Sequence, residues 1–210
     1  KKMLILILMK QRYSPIYVTI DFFLLNNYYQ QDFTASTRPH RTTLSTMTEP
    51  ASPLLTGLAP VLRADTRVLI LGSFPGAASL AAGQYYAHPR NQFWPLLCAV
   101  LDDDLASLPY PLRLQRLQQH GLGLWDVIAA CARVGSLDTA IRHAQEVDFS
   151  LLPNRYPLLK TIAFNGKTAG KAAPRFDDAG YRTLILPSSS PANARLSFVE
   201  KLVQWRALPR

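Results

Sequence analysis

Between residues 72 and 94 the chain reads GSFPGAASLAAGQYYAHPRNQFW, a stretch dense in groups able to grip a planar polar ligand. The turn Gly72, Ser73, Phe74, Pro75, Gly76 can bring backbone N–H groups against a carbonyl, because glycine permits close approach. Tyr86 offers a ring for stacking, or it packs the core. His88 can donate to a base or a phosphate, or simply fix its own loop. Asn91 carries a side-chain amide. It also stands where an Asn would cap the helix beginning QFWPLL. Two later stretches are similarly polar. In FNG (164–166), Asn165 can pair with a base edge through one donor and one acceptor, or serve as a turn residue before Gly166. In LPSSSPAN (186–193), Ser188, Ser189 and Ser190 bring hydroxyls and N–H groups suited to phosphate oxygens. Pro191 and Asn193 follow them. Asp126, in LWDV, is the one acid expected near these groups. It could orient a water, stabilise a sugar cation or cap a helix.

Strands and helices must position these residues. RVLILG (67–72), TIAFNG (161–166) and YRTLIL (181–186) are short apolar runs that read as buried strands. Helical patterns occupy 91–101, with Pro95 tolerable only in the first turn, and 112–120, 167–176 and 196–208. GLGLWDVIAACARV reads as a turn feeding another apolar segment. Strands alternating with helices argue an α/β sandwich around a mainly parallel sheet. Ligand sites in such sheets lie beyond the carboxyl ends of the strands. GSFPG, FNG and LPSSSPAN all follow strand ends, so they are expected to meet in one crevice.

Composition narrows the function. The 210 residues are 48% hydrophobic and 18% charged, enough for one buried core. Net charge is +9. Residues 1–46 hold six Lys/Arg against two Asp/Glu, and the remainder seventeen against twelve, so the body is basic by itself. A basic surface suits a polyanion. Cys98 and Cys131 form no C-x-x-C pair and read as buried thiols, so neither a metal nor another cofactor is implied. LILILM near the start is too short to span a bilayer. Residues 1–46 are expected to be disordered or a non-native extension, with Met47 as the natural start and 47–210 as the domain. The expected protein is a cytoplasmic monomer with no membrane partner.

The long motif resembles the first motif of the uracil-DNA glycosylase superfamily. GSFPG and YAHPRNQFW match the mismatch-specific uracil/thymine branch in outline. They match the hypoxanthine-DNA glycosylase branch more fully, with its GS-x-PG and YYAHPRN-x-FW. LPSSSPANARLSFVEKLVQWR resembles the second motif, and FNG a third. The resemblance covers most of residues 57–206. It implies a three-layer α/β/α sandwich and a base-excision enzyme acting on DNA, double- or single-stranded, that carries a deaminated base. Hypoxanthine is expected first and uracil second. Phe74 stands where the mismatch-specific branch has its catalytic Asn and cannot hold a water. The resemblance therefore implies that Asn91 is catalytic, that Tyr86 stacks on the extruded base, and that Ser188 to Asn193 approach the DNA backbone and minor groove. The three motif loops hold no Schiff-base Lys (Lys167 lies just beyond FNG), so the enzyme is expected to use water and to lack a lyase step.

Two rivals remain at this level. One is a serine hydrolase pairing the SSSP serines with His88, although no G-x-S-x-G elbow is present. The other is a non-catalytic nucleic-acid or nucleotide-binding module of the same fold.

Overall fold

The computed structural model describes residues 54–209. The expectations for residues 1–46 lie outside this range. Four parallel strands form the central sheet: β2 (Val68–Gly72), β3 (Leu122–Asp126), β6 (Thr161–Asn165) and β7 (Arg182–Leu186), in the order β3-β2-β6-β7. The register places Ile70 between Leu124 and Ala163. β2 is buried at every position, as expected for a strand covered on both faces.

Helices cover both faces. Ile70, Val68, Leu122, Leu124 and Ala163 pack against α2 (Phe93–Leu101), α3 (Tyr110–Gln119) and α7 (Phe198–Trp205) through Phe93, Leu96, Leu97, Leu117 and Trp205. Leu69, Leu71, Ile162 and Phe164 face the other way. They meet Leu152 of α4 (Leu152–Arg155), Ala169 of α5 (Lys167–Gly170), and Ala173 and Phe176 of α6 (Ala173–Asp178). The result is a three-layer α/β/α sandwich. A short helix, α1 (Ala77–Ala82), follows the GSFPG turn.

The path from β2 to β3 runs through α2 and α3 on one face. The path from β6 to β7 runs through α5 and α6 on the other. Right-handed crossovers in opposite directions demand this arrangement. The loops leaving β2 and β6 therefore part to opposite faces, and a crevice opens between their carboxyl ends.

A second, antiparallel sheet was not foreseen. It joins β1 (Leu54–Thr56), β4 (Ile128–Ala132) and β5 (Arg142–Glu146) in the order β1-β4-β5. The segment GLGLWDVIAACARV is thus two strands, β3 and β4, with Val127 between them. Val127 N–H donates to the Gly72 carbonyl and Ile128 N–H to that of Ser73, which ties the small sheet to the end of β2.

Gly123 shows how closely the edge strand β3 is packed. The bridge from Val61 to Leu124 lays the chain across it. A Cβ at Gly123 would stand 2.5 Å from Leu62 Cδ2 and 2.9 Å from the Val61 carbonyl oxygen. Gly123→Ala is expected to cost about 1–3 kcal/mol through this overpacking, read as a lower urea midpoint with an unchanged m-value.

Candidate active site

A cavity of about 630 Å³ occupies the crevice, within the range of about 300–1,000 Å³ typical of small-molecule sites. Its wall includes the whole GSFPG turn, Tyr86, Asn91 and Asn165, together with Ser188, Ser189, Ser190 and Asn193. The three strand-end loops meet there. His88 and Pro191 do not line it.

Tyr86 is held in an unusual conformation. Its φ is 56°, in the left-handed region that a non-glycine residue rarely occupies. Neighbouring bonds enforce it: Tyr85 N–H donates to the Tyr110 hydroxyl at 2.8 Å, Trp94 Nε1–H to the Tyr85 carbonyl at 3.2 Å and Ala87 N–H to Ser79 Oγ at 3.1 Å. The Tyr86 ring stacks on Phe93, with centroids 3.7 Å apart and planes at 15°. Phe93 is in turn met edge-on by Trp94 and Trp205. Core packing and a cavity position thus coexist in one side chain. Burial, with the nearby Asp126 charge adding to it, pushes the Tyr86 hydroxyl well above its ordinary range.

Asn91 likewise combines two positions. Its Oδ1 accepts from Phe93 N–H at 3.0 Å at the start of α2, while the residue lines the cavity. The helix begins at Phe93, which leaves Pro95 in its first turn as expected.

Asn165 and Ser189 differ from expectation. The Asn165 amide donates to Ser189 Oγ at 2.8 Å, and its oxygen accepts Ser189 N–H at 2.8 Å. The donor–acceptor pair foreseen for a base edge is therefore engaged with the serine loop, with one amide hydrogen left over. Ser189 is completely buried. Its side chain braces Asn165 and does not stand at the surface where a phosphate would meet it. Ser188 and Ser190 are half-buried on the cavity wall. Asn193 Nδ2 donates to the Ser188 carbonyl at 3.1 Å, closing the loop on itself.

His88 is also corrected. Its Nδ1 accepts from Arg90 N–H at 3.1 Å, and its carbonyl accepts from Asn91 N–H at 2.8 Å. It shapes the turn that presents Asn91. With His88 so engaged and Ser189 bound to Asn165, the serine–histidine pair of a hydrolase is not formed. Ser73 directs its hydroxyl to Asp138 Oδ1 at 2.7 Å, so only its backbone is left free to face the cavity. Phe74 is buried, with the Arg133 guanidinium 4.9 Å from its ring centre. Arg133 also donates to the Pro75 carbonyl, which fixes the turn from the small sheet.

Asp126 lies at the site as expected, but it caps no helix. It is the last residue of β3, paired in register with Gly72 and 4% exposed at the cavity wall. A Cβ on Gly72 would lie 2.4 Å from Asp126 Oδ1, so glycine is required there for the carboxyl to fit. Asp126 Oδ2 and the Tyr86 hydroxyl are both buried without a hydrogen-bond partner among the described residues. Burial and then the Asp138 charge push the Asp126 carboxyl up from 3.8 to about 7, with Arg133 opposing. The loop 136–139, which also lines the cavity, gave no signal in the sequence. It carries ordinary loop residues, and only the fold brings it to the site.

The family model for the uracil DNA glycosylase superfamily matches residues 59–207. The chain belongs to that superfamily. Among its relatives is the hypoxanthine DNA glycosylase of Methanosarcina barkeri, 45% identical over 139 residues, which are 66% of this chain and 88% of the relative. The hypoxanthine DNA glycosylase of Methanosarcina acetivorans is 40% identical over 154 residues, 73% of this chain and 97% of the relative. Among solved structures, the solution NMR structure of a candidate uracil DNA glycosylase from Methanosarcina acetivorans superposes with a TM-score of 0.69 at 39% identity. That alignment covers 74% of this chain and 96% of the other. No described helix is long and apolar enough to cross a membrane.

The buried Asp126 has a consequence for stability. Its folded-state pKa is raised, so between pH 4 and 7 the unfolded chain holds fewer protons than the folded one, and stability falls as pH rises through that window. Asp126→Asn should melt at a higher temperature than the wild type at pH 8. The gap should close as pH is lowered towards 4, as followed by thermal melts across a pH series.

Proposed function

We propose that this superfamily member is a monofunctional DNA glycosylase that removes hypoxanthine from DNA, with uracil as a second substrate. The observation that carries the reading is the convergence of Tyr86, Asn91 and the Ser188–Asn193 loop on one cavity at the strand switch point. Both Methanosarcina relatives are named for hypoxanthine. A base inside a duplex is out of reach of such a cavity, so it must be extruded and read singly. Tyr86 would stack on the base, its ring stiffened from behind by Phe93.

Hydrolysis needs little else. Water adds to the sugar C1′ as the bond from C1′ to the base nitrogen breaks. The bonding electrons leave on the base, and the proton given up by the water neutralises that base. The products are an abasic sugar and the free base. Asn91 would place the water through its amide while its oxygen stays on the Phe93 N–H. The Ser188–Asn193 loop, with Arg195 beside it on the cavity wall, would meet the DNA backbone. Lys167 is the one lysine on that wall among the described residues. No Schiff-base step is assigned to it. The DNA is taken as double- or single-stranded, and the enzyme as a monomer.

The test uses labelled duplexes containing deoxyinosine, deoxyuridine or a G·T mismatch, incubated with protein and then treated with alkali. Strand scission at deoxyinosine is the expected result, and binding without scission would favour a non-catalytic module instead. Asn91→Ala should slow single-turnover excision by about 100-fold or more while retaining affinity for abasic DNA. Loss of the bond to Phe93 N–H should cost about 1 kcal/mol of stability, small enough for the assay to be run on folded protein.

A further inference from the structure

Arg133, which follows β4, is a buried cation with few partners. It is 7% exposed. A guanidinium carries five N–H donors and a charge that it does not shed. One hydrogen bond leaves it, from Nη2 to the Pro75 carbonyl, while Nε and Nη1 are buried without a partner among the described residues. Nor does it form an ion pair among the described residues. Lys201, the other buried cation among them, is held differently: its ammonium binds two acceptors, Gln92 Oε1 and the Asn193 carbonyl. Bracing a turn through one carbonyl needs one donor, which a neutral side chain can supply. Burying an unpaired charge for that task alone is costly.

The place of Arg133 gives its charge a direction. Phe74 and Pro75 line the cavity, and Arg133 touches both without lining it. Its guanidinium carbon is 4.9 Å from the Phe74 ring centre. A trans peptide points its C=O and its N–H in opposite directions, and no peptide among the described residues is cis. The Pro75 carbonyl is turned out to Arg133. The Gly76 N–H of the same peptide is therefore turned away from Arg133, and Gly76 lines the cavity.

We infer that Arg133 is a positioning residue for the departure of the base: it turns the Gly76 N–H towards the cavity and sets an unpaired positive charge behind that dipole, where negative charge gathers on the base as its bond to C1′ breaks. This rests on the glycosylase reading. A cation bound to the carbonyl polarises the whole peptide and makes its N–H a stronger donor. Water screens the charge little, because the guanidinium is buried. Asp126 and Asp138 lie nearby, but neither pairs with it, and Asp138 is engaged by the Ser73 hydroxyl. For a unit charge about 8 Å from a developing one, at an effective dielectric of about 20, the assistance is about 30-fold in rate.

The test compares leaving groups. Deoxyinosine is set beside 8-aza-deoxyinosine, in which nitrogen replaces C8–H, and deoxyuridine beside 5-fluorodeoxyuridine. The second member of each pair has nearly the same shape and holds negative charge better, so its departure needs less help. Arg133→Gln and Arg133→Met remove the charge, and Arg133→Lys keeps it. In single-turnover excision, the neutral variants should lose about 30-fold on deoxyinosine or deoxyuridine, and less than about fivefold on the electron-poor partner. Arg133→Lys should stay within about fivefold of the wild type on both. All three should melt within a few degrees of the wild type, since a buried charge without a partner adds little stability. An equal loss on both members of a pair, with Lys no better than Gln, would show that Arg133 only braces the turn and would overturn the inference. Neutral variants that fail to fold would overturn it too, by assigning the cation to the stability of the domain. Either result leaves excision by the wild type, and with it the glycosylase reading, intact. A wild type that excises none of the four bases would overturn that reading and the inference together.

Discussion

The site depends on one buried clamp. Ser189 is fully enclosed, and three of its groups bind two different elements. Its hydroxyl and N–H hold the Asn165 amide at the end of β6. Its carbonyl accepts Gln92 N–H at the entry to α2. Lys201 of α7 extends the clamp with bonds from Nζ to Gln92 Oε1 at 2.8 Å and to the Asn193 carbonyl at 2.9 Å. Trp205 Nε1–H binds the Pro187 carbonyl at 2.9 Å. A loop of serines and prolines has little apolar surface with which to fix itself. Here hydrogen bonds out of water, one set to a buried ammonium, replace that packing. Gly166 completes the fit: its φ is 105°, and a Cβ there would strike the Ser188 side chain at 2.9 Å.

The same clamp sets the distance between the first and last motifs, which lie about a hundred residues apart in the chain. Asn91 immediately precedes Gln92, so whatever holds Gln92 to Ser189 also places the Asn91 amide relative to the loop that would meet DNA. Across the cavity the small sheet performs the matching task. Arg133 and the Ser73–Asp138 bond fix the GSFPG turn from outside. Thus each wall is braced by a cation outside the cavity, Lys201 on one side and Arg133 on the other, as precise placement of reacting groups requires.

Much of this was legible in the sequence because it was written in local patterns. Three of the four central strands end in polar turns, and the rule that parallel sheets bind ligands at their carboxyl ends was enough to bring the loops together. Gly72, Tyr86 and Asn91 could be singled out by type and spacing. The edge strand β3 and the small sheet could not. LGLWD of β3 has two leucines around a glycine and then a tryptophan, and IAACA of β4 is small and apolar. Neither shows the alternation or the β-branched run that marks a strand, and both are made strands by their neighbours. The partners of Asn165, Ser189 and His88 and the setting of Asp126 were not foreseen, for a common reason. Each is a polar residue in a motif loop, and sequence alone cannot say whether such a group faces a ligand or the loop's own backbone. Only partners distant in the chain decide it, as Ser189 does for Asn165 and Gly72 does for Asp126.

That division also explains where unsatisfied groups collect. The outer polar side chains of the cavity find protein partners: Ser73 on Asp138, Asn193 on its own loop, Asn165 on Ser189. Asp126 Oδ2 and the Tyr86 hydroxyl do not, nor do Nε and Nη1 of the nearby Arg133. A fold selected for stability alone would place apolar groups there, since a buried polar atom without a partner costs about 1–3 kcal/mol. Strain at Tyr86 and a glycine in the middle of the sheet's carboxyl edge add to that cost. All three lie on one stretch of the cavity wall. The economical explanation is that the missing partners arrive with a ligand, whose donors and acceptors complete the network only when it is fully inserted. A ligand whose groups pair with these atoms would gain energy that the protein alone forgoes, and one that cannot would leave them desolvated.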